Sequence, residues 1–565
     1  MRNLTGRTRT RVSALALLAS ATMLLAPLSM PANAATNVSP DQFSLGLAPE
    51  VTTSPGVRAG YIRLWDMGVA WRDVNTAPGV YNWTVLDQRV AQTQAAGAKV
   101  LYVGGLTPVW AAANPADGDP RWGAGSASAP ADPATYGTFI SALMQRYGGR
   151  IAAVETWNEA NLKTFWTGTP DQMADLTQRA NSAIKAASPG TAVFAASTTT
   201  RLINSVKNFF GPYAAALKSR GYPIDGWTIH TYPAANATPV NRFDAIDAWR
   251  DVLSSATGAD SAALNKAVWD TEINYGLAGP GAIPDQDFDG ATGATYVART
   301  FVDSIRQGIS ATFWYLWTAG PYGLIGVQMH TGTTQTIDAY NRVRNWTAGA
   351  SLNGCDVAGD VVRCFFISSE PFIIAMSKSG APAVWNGSPN LLAVKWDGTA
   401  VSPIGTLALG MGPVIITCGA DKSLCTQAGV AGTGGTAGVP TGAVSSGITI
   451  TSTSTAPYRS KNVFVATGTA PGLVGKQLVP CYVKTSTRTG KKSAVKCMTV
   501  RQASKVLPPV TAAGTFTFTN RTTLASSPQA RVTVFLQVPS EVKGNPLGPV
   551  ASNTVTIPVP TRITS

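Results

Sequence analysis

Val154-Glu155-Thr156-Trp157-Asn158-Glu159-Ala160-Asn161 follows a helical pattern over 136–147 and the short apolar run 151–154, so it reads as a strand running out into a loop. Carboxylates at the mouth of a strand suit general-acid work, because a partly closed, low-dielectric site raises their pKa toward the working pH. An Asn just before such a Glu can hold a substrate hydroxyl beside the bond being cleaved. Taken alone, Glu155 and Glu159 are equally well ordinary structural carboxylates. What shifts the reading is a second strand-end glutamate far downstream.

Working outward, apolar runs of strand length recur at 43–49, 61–66, 99–105, 151–157, 192–197, 226–232, 267–272 and 311–318. Helical patterns lie between most of them, at 85–96, 136–147, 171–187, 241–253 and 292–307. Strands alternating with helices in this way predict an α/β fold, a (β/α)8 TIM barrel over 41–346. The weak place is 50–59, where Pro55, Gly56 and then Gly60 leave little room for a first helix. A doubly wound open sheet is the alternative, but no Gly-rich phosphate loop follows the first strand.

The second glutamate is Glu272, in Ala267-Val268-Trp269-Asp270-Thr271-Glu272-Ile273-Asn274, at the end of the seventh expected strand. On a barrel, the ends of strands four and seven open onto the same face. Two facing carboxylates are what glycoside hydrolysis needs, and their separation decides between retention and inversion.

With these residues in place, the chain resembles a clan A glycoside hydrolase over about 41–346. Trp157-Asn158-Glu159 is similar to that clan's strand-four Asn-Glu. The resemblance implies that Glu159 is the acid/base, Asn158 binds the sugar 2-hydroxyl and Glu272 is the nucleophile. It extends to Arg63 at strand two, His230-Thr231-Tyr232 at strand six and Trp317 at strand eight. Arg63 would keep Glu272 ionised, Tyr232 would donate to it, His230 would bridge the site and Trp317 would lie beneath the sugar ring. Arg63-Leu64-Trp65-Asp66, Pro78-Gly79-Val80-Tyr81-Asn82-Trp83 and Thr107-Pro108-Val109-Trp110 resemble the family 39, β-xylosidase-type pattern. The pair His230 and Tyr232 is also at home in family 5.

Each of these positions has a plainer use. Arg63 could neutralise Glu155 inside the barrel, and His230 could be a satisfied core histidine. Glu155 reads as structural, and Asp270 as a hydrogen-bond partner in the barrel wall. Trp65, Trp71, Trp110, Trp166 and Trp314 line subsites or pack the core.

Residues 1–34 resemble a secretory signal: Arg2, Arg7, Arg9 and Arg11, an apolar run over 12–28, then Ala32-Asn33-Ala34 as cleavage site. The six cysteines, Cys355, Cys364, Cys418, Cys425, Cys481 and Cys497, fit an exported chain with disulfides, and neighbour pairing is one of fifteen connectivities. Metal binding is not expected with two histidines and no C-x-x-C pair.

After about 350 the pattern turns to short strands with Gly, Pro and Asn punctuation, so 350–425 reads as a small β domain. Residues 426–446 form a Gly/Thr/Ala-rich flexible linker. Residues 447–565 alternate in period two, as in Gly514-Thr515-Phe516-Thr517-Phe518, and suggest a separate C-terminal β-sandwich. They resemble the Ig-like or fibronectin-like modules of exported enzymes.

The net charge of +14 is unevenly spread: 446–565 hold fourteen Lys or Arg and one acid, Glu541, while 35–445 hold 26 basic and 29 acidic residues. That basic module reads equally as an attachment to an anionic cell-wall polymer or acidic glycan and as a solvated basic spacer. Nucleic acid is not an expected partner, since no binding motif is present. No later stretch approaches a membrane span, so export and release are expected.

The reading that follows is a secreted retaining glycosidase acting on a glycan, with neither metal nor organic cofactor. A wall-associated carbohydrate-binding protein on a barrel scaffold and a transglycosylase are the alternatives.

Overall fold

Period-two patterning decides which way each barrel residue faces, and the computed structural model shows the result. It describes residues 36–288, 290–386, 391–401, 406–418 and 425, together with seven strands beyond residue 448. The expected signal at 1–34 and the linker at 426–446 lie outside the described residues.

Eight parallel strands close on themselves: β1 (Phe43–Leu47), β2 (Tyr61–Leu64), β3 (Lys99–Val103), β4 (Ile151–Glu155), β5 (Ala192–Phe194), β6 (Gly226–His230), β7 (Ala267–Ile273) and β8 (Ala311–Trp317). Each pairs with the next, and β8 returns to β1, so the sheet is a barrel without an edge. Around it run α1 (Thr84–Ala95), α2 (Ala134–Tyr147), α3 (Pro170–Ala187), α4 (Gly211–Ser219), α5 (Arg242–Thr257), α6 (Gly290–Arg306) and α7 (Thr334–Thr347). No helix lies between β1 and β2, where the prolines and glycines of 48–60 make a loop. Helix starts follow local chemistry. At α3, Thr169 accepts from Gln172 N while the Gln172 side chain answers, and Pro170 takes the first turn, where an N–H is not needed.

The barrel interior is layered. Tyr61, Leu101, Ala153, Phe194, Trp269, Ala311 and Phe313 form an apolar floor. Two residues further along their strands, hence on the same inner face, come Arg63, Glu155, Thr271 and Tyr315. The intervening residues, such as Ile62, Val100, Val154 and Trp314, face outward into the main core beneath the helices.

Strand β7 breaks strict alternation. Ile229 of β6 pairs with Asp270, but His230 pairs with Glu272, so β7 carries one extra residue. This bulge lets consecutive residues Thr271 and Glu272 both reach the interior, while Asp270 points out toward α5.

Past the barrel, strands β9 (Ser351–Ala358), β10 (Val361–Ile367) and β11 (Phe372–Ser377) start an antiparallel sheet, continued by Val414–Thr417, Leu392–Lys395 and Ala400–Val401. The short strand Thr36–Asn37 joins its edge beside β9. Phe366, Phe372, Ile374 and Met376 share the main core with barrel residues. From α6, Arg299 is fully buried and donates to the carbonyls of Ser377 (2.7 Å) and Met411 (3.0 Å). Cys355–Cys364 and Cys418–Cys425 are disulfides.

Among the residues beyond 448 are two antiparallel sheets. One holds Thr449–Tyr458, Lys461–Thr469 and Thr515–Asn520; the other holds Lys496–Cys497, Val479–Ser486, Ala530–Gln537 and Val555–Thr556. Cys481 and Cys497 are partners across two of these strands. Among the described residues, no helix is long and apolar enough to cross a membrane.

Candidate active site

The inner layer above the apolar floor is charged, and Arg63 is its centre. Its guanidinium donates to Glu155 through Nη2 (2.7 Å) and Nε (3.3 Å), to Asn158 Oδ1 through Nη2 (2.7 Å), and to Glu272 Oε1 through Nη1. The two uses of Arg63 weighed from sequence are therefore both present. Burial works against its charge, but Glu155 and Glu272 together outweigh that and hold its pKa above the ordinary value. Asn158 has its amide oxygen occupied by Arg63, so its amide N–H is what remains to offer a sugar hydroxyl.

Glu272 is gripped from a second side by Tyr232, whose hydroxyl donates to Oε2 at 2.7 Å. Burial pushes the Glu272 carboxyl above its ordinary value, and the neighbouring Glu159 carboxyl adds to the rise. His230, Arg63 and Tyr232 pull the other way without cancelling it. Arg63 and Tyr232 thus act in the expected sense, favouring the ionised form of Glu272 against the rise that desolvation causes. The Tyr232 phenol is held far above its usual pKa by burial and by Glu272, so it stays a donor.

Glu159 stands four residues beyond β4, in the loop, with φ of 39°, a left-handed conformation uncommon for a non-glycine residue. Its backbone N–H donates to Ser197 Oγ (3.0 Å), and Ala160 N donates to Ser197 O (3.0 Å). Asn161 exchanges bonds of 3.0 Å each way with Thr199. These contacts hold 157–161 against the segment leaving β5 and fix where the Glu159 carboxylate points.

His230 joins the two glutamates. Its Nδ1 lies 3.1 Å from Glu159 Oε1 and 3.6 Å from Glu272 Oε2, while Nε2 is 3.1 Å from Thr271 Oγ1. Those two oxygens are thus no further apart than the sum of the two distances. That ceiling only just reaches the lower edge of the roughly 6.5–9.5 Å spacing of inverting pairs. Burial lowers the basicity of His230, but Glu272 and Glu159 outweigh it and its pKa is raised.

A brace lies behind this group. Arg242 on α5 donates to Asp270 Oδ2 (2.7 Å) and to Thr231 Oγ1 (2.9 Å), and Thr231 donates its own N–H to Asp270 Oδ1 (3.2 Å). Thr231 sits between His230 and Tyr232, so the brace sets the residue that separates them. Asp270 is the wall-side partner expected from sequence.

The aromatic residues divide. Trp65 lies beside Arg63, with Trp122 and Phe165 at ring distances of 5.8 and 5.9 Å. A Cβ on Gly105 would come within 2.8 Å of the Trp65 ring, so that approach requires glycine. Trp71, Trp166 and Trp314 are core residues, and Trp110 donates to Asn75 O at 2.8 Å. Trp317, expected beneath the sugar ring, is 3 % exposed and packs over Gly56. The aromatic that contacts place by the carboxylates is Tyr315: its ring is 6.2 Å from that of Tyr232, and its hydroxyl donates to Asp66 at 2.8 Å. Its spacing of two from the floor residue Phe313 was the available signal in the sequence.

No protein-family model matches the sequence, and no curated protein matches it. Among solved structures, the chain is similar to a family 39 glycoside hydrolase from the gut symbiont Bacteroides cellulosilyticus WH2, at 18% identity and a TM-score of 0.51, over 67% of this chain and 81% of that one. It is also similar to a monomeric beta-xylosidase from Caulobacter crescentus CB15, at 17% identity and a TM-score of 0.46, over 68% of this chain and 97% of that one. At such identities the likeness is one of fold: this chain has the closed eight-stranded parallel barrel on which a family 39 glycoside hydrolase is built.

Proposed function

We propose that the chain is an exported retaining glycoside hydrolase that cleaves an O-glycosidic bond by double displacement. The observation that carries this reading is the unequal treatment of two neighbouring carboxylates. Glu272 accepts from both Arg63 and Tyr232, whereas among the described residues Glu159 meets only His230 through a side-chain hydrogen bond. A carboxylate with two standing donors is aimed and unable to swing, as a nucleophile should be. One held by a single imidazole can give and take a proton.

In the first step a Glu272 oxygen attacks the anomeric carbon as the bond to the leaving oxygen breaks, and that oxygen takes the proton of Glu159. In the second, Glu159 removes a proton from water, the hydroxide oxygen bonds to the anomeric carbon, and the ester to Glu272 breaks. Asn158 would donate to the 2-hydroxyl, and Trp65 and Tyr315 would wall the sugar. Export is supported by two disulfides, which persist in oxidising surroundings.

The test is covalent trapping. A panel of 2-deoxy-2-fluoro glycosides with dinitrophenyl leaving groups should label one peptide, at Glu272, by mass spectrometry. Glu159→Gln should lose about 10²–10⁴-fold in rate on glycosides with poor leaving groups and far less on dinitrophenyl glycosides. A label on another residue, or normal turnover by Glu272→Gln, overturns the assignment.

A further inference from the structure

The buried arginines of the barrel are paired: Arg63 with Glu155 and Glu272, Arg242 with Asp270, Arg299 with Asp303. Arg201 is not. It is half-buried at the mouth of the site, yet among the described residues no carboxylate lies within ion-pair distance of it. Its Nε is buried without a partner, and its Nη1 makes no hydrogen bond among the described residues.

Its position is fixed from two sides. The segment leaving β5 that leads into Arg201 bonds to Glu159 N through Ser197, to Asn161 through Thr199, and to His230 O through Thr200 N at 2.9 Å. From behind, Nη2 donates to the carbonyls of Leu277 (3.3 Å) and Ala278 (3.2 Å) in the loop after β7. The guanidinium is thus anchored by neutral acceptors and has no ion pair among the described residues. Burial lowers its pKa, and the groups that act against this are Glu159 and Tyr232. Because Ser197 and Thr199 of the same segment bond to Glu159 and Asn161, Arg201 lies on the flank of Glu159. On the reading given above, that is the side of the leaving group.

A half-buried cation without an ion-pair partner is costly, and a planar guanidinium matches the oxygens of a carboxylate or sulfate. We infer that Arg201 binds an oxyanion carried by the glycan on the leaving-group side, a uronic acid carboxylate or a sulfate ester, and selects acidic over neutral substrates. This rests on the glycosidase reading for the naming of the leaving side, but the anion site can be measured without turnover.

The experiment uses the full chain carrying Glu272→Gln and isothermal titration with uronate-bearing oligosaccharides from xylan and pectin. The comparison ligands are the same oligosaccharides after carboxyl reduction, and the reduced ones after sulfation. Expected is about 10- to 100-fold tighter binding of an acidic oligosaccharide than of its reduced form, the size of one hydrogen bond to a charged group. Arg201→Gln in the same background should bring the two forms within about twofold, with an unchanged melting temperature. Arg201→Lys should retain part of the preference. Recovery on sulfation assigns the site to oxyanions in general, and no recovery assigns it to the carboxylate. The basic residues beyond 446 are present in every variant and cancel. Equal binding of acidic and reduced forms, binding of neither, or a preference that survives Arg201→Gln overturns the inference. A preference that depends on Arg201 in a wild-type chain that cleaves nothing would instead sink the hydrolase reading. Cleavage without charge preference would do the reverse.

Discussion

Tyr232 donates its hydroxyl to Glu272 Oε2 at 2.7 Å from the residue two beyond the end of β6, while Arg63 holds the other oxygen. Removing that hydroxyl with Tyr232→Phe should lower kcat/KM by about 10- to 100-fold, as expected of a hydrogen bond to a charged group. It should also move the acidic limb of the kcat/KM profile to higher pH, because Glu272 must be ionised to attack and loses a group that favours ionisation. An acidic limb that stays in place would mean that Glu272 does not set it.

The raised pKa of Glu272 has a consequence for stability. A group that binds its proton more tightly when folded stabilises fully below its unfolded value, here 4.5, and loses that contribution as pH rises through the folded value. Glu272→Gln removes the titration while Arg63 keeps Glu155 as partner. The variant should therefore melt above wild type at neutral pH, with the gap closing below pH 4.5. Thermal melts at several pH values check this, and a variant less stable at neutral pH contradicts it.

The Arg242–Asp270 brace is buried on both sides, with side chains 1% and 0% exposed. Arg242→Met leaves a carboxylate without its cation and should destabilise by about 3–5 kcal/mol in denaturant unfolding. The double variant Arg242→Met/Asp270→Leu should recover much of that loss, yet stay slow, since Thr231 no longer sets the spacing of His230 and Tyr232. Full activity in the double variant would show that the brace serves folding alone.

Truncation after residue 425 removes the fourteen Lys or Arg and one acid of 446–565 and none of the site residues. Hydrolysis of small soluble glycosides should be nearly unchanged, while attachment to cell walls or anionic polymer weakens. That loss should be largest at low ionic strength, because exposed charges are screened over about 8 Å at physiological salt. Pull-down on wall material across a salt series, beside a soluble assay, separates the two.

The barrel was legible because alternating apolar runs and helical patterns carry through the chain from Phe43 to α7. The strands were read one to three residues too long in most cases, as at β4, which stops at Glu155. Beyond that point the chain bends to set Glu159, and a positive φ leaves no mark on composition. Glu272 was singled out by its place at a strand end, but strict alternation would have turned it away from the barrel interior. The bulge that turns it inward depends on register with β6, which one strand alone does not encode. Trp317 came from the family resemblance, whereas the spacing of two from Phe313 on the inner face marks Tyr315. Thr36–Asn37 was missed because two residues show no period, and its partner lies more than three hundred residues away.

The buried grip of Arg299 on Ser377 and Met411 ties the sheet beyond β8 to the barrel, as do Thr36–Asn37 at the sheet edge and the core they share. The two parts thus share one hydrophobic core as well as buried hydrogen bonds. A barrel cut loose after α7 would lose the part of the common core that Phe366, Phe372, Ile374 and Met376 supply. The smallest stable unit that holds the candidate site should therefore end past the Cys418–Cys425 disulfide, not at the last helix of the barrel.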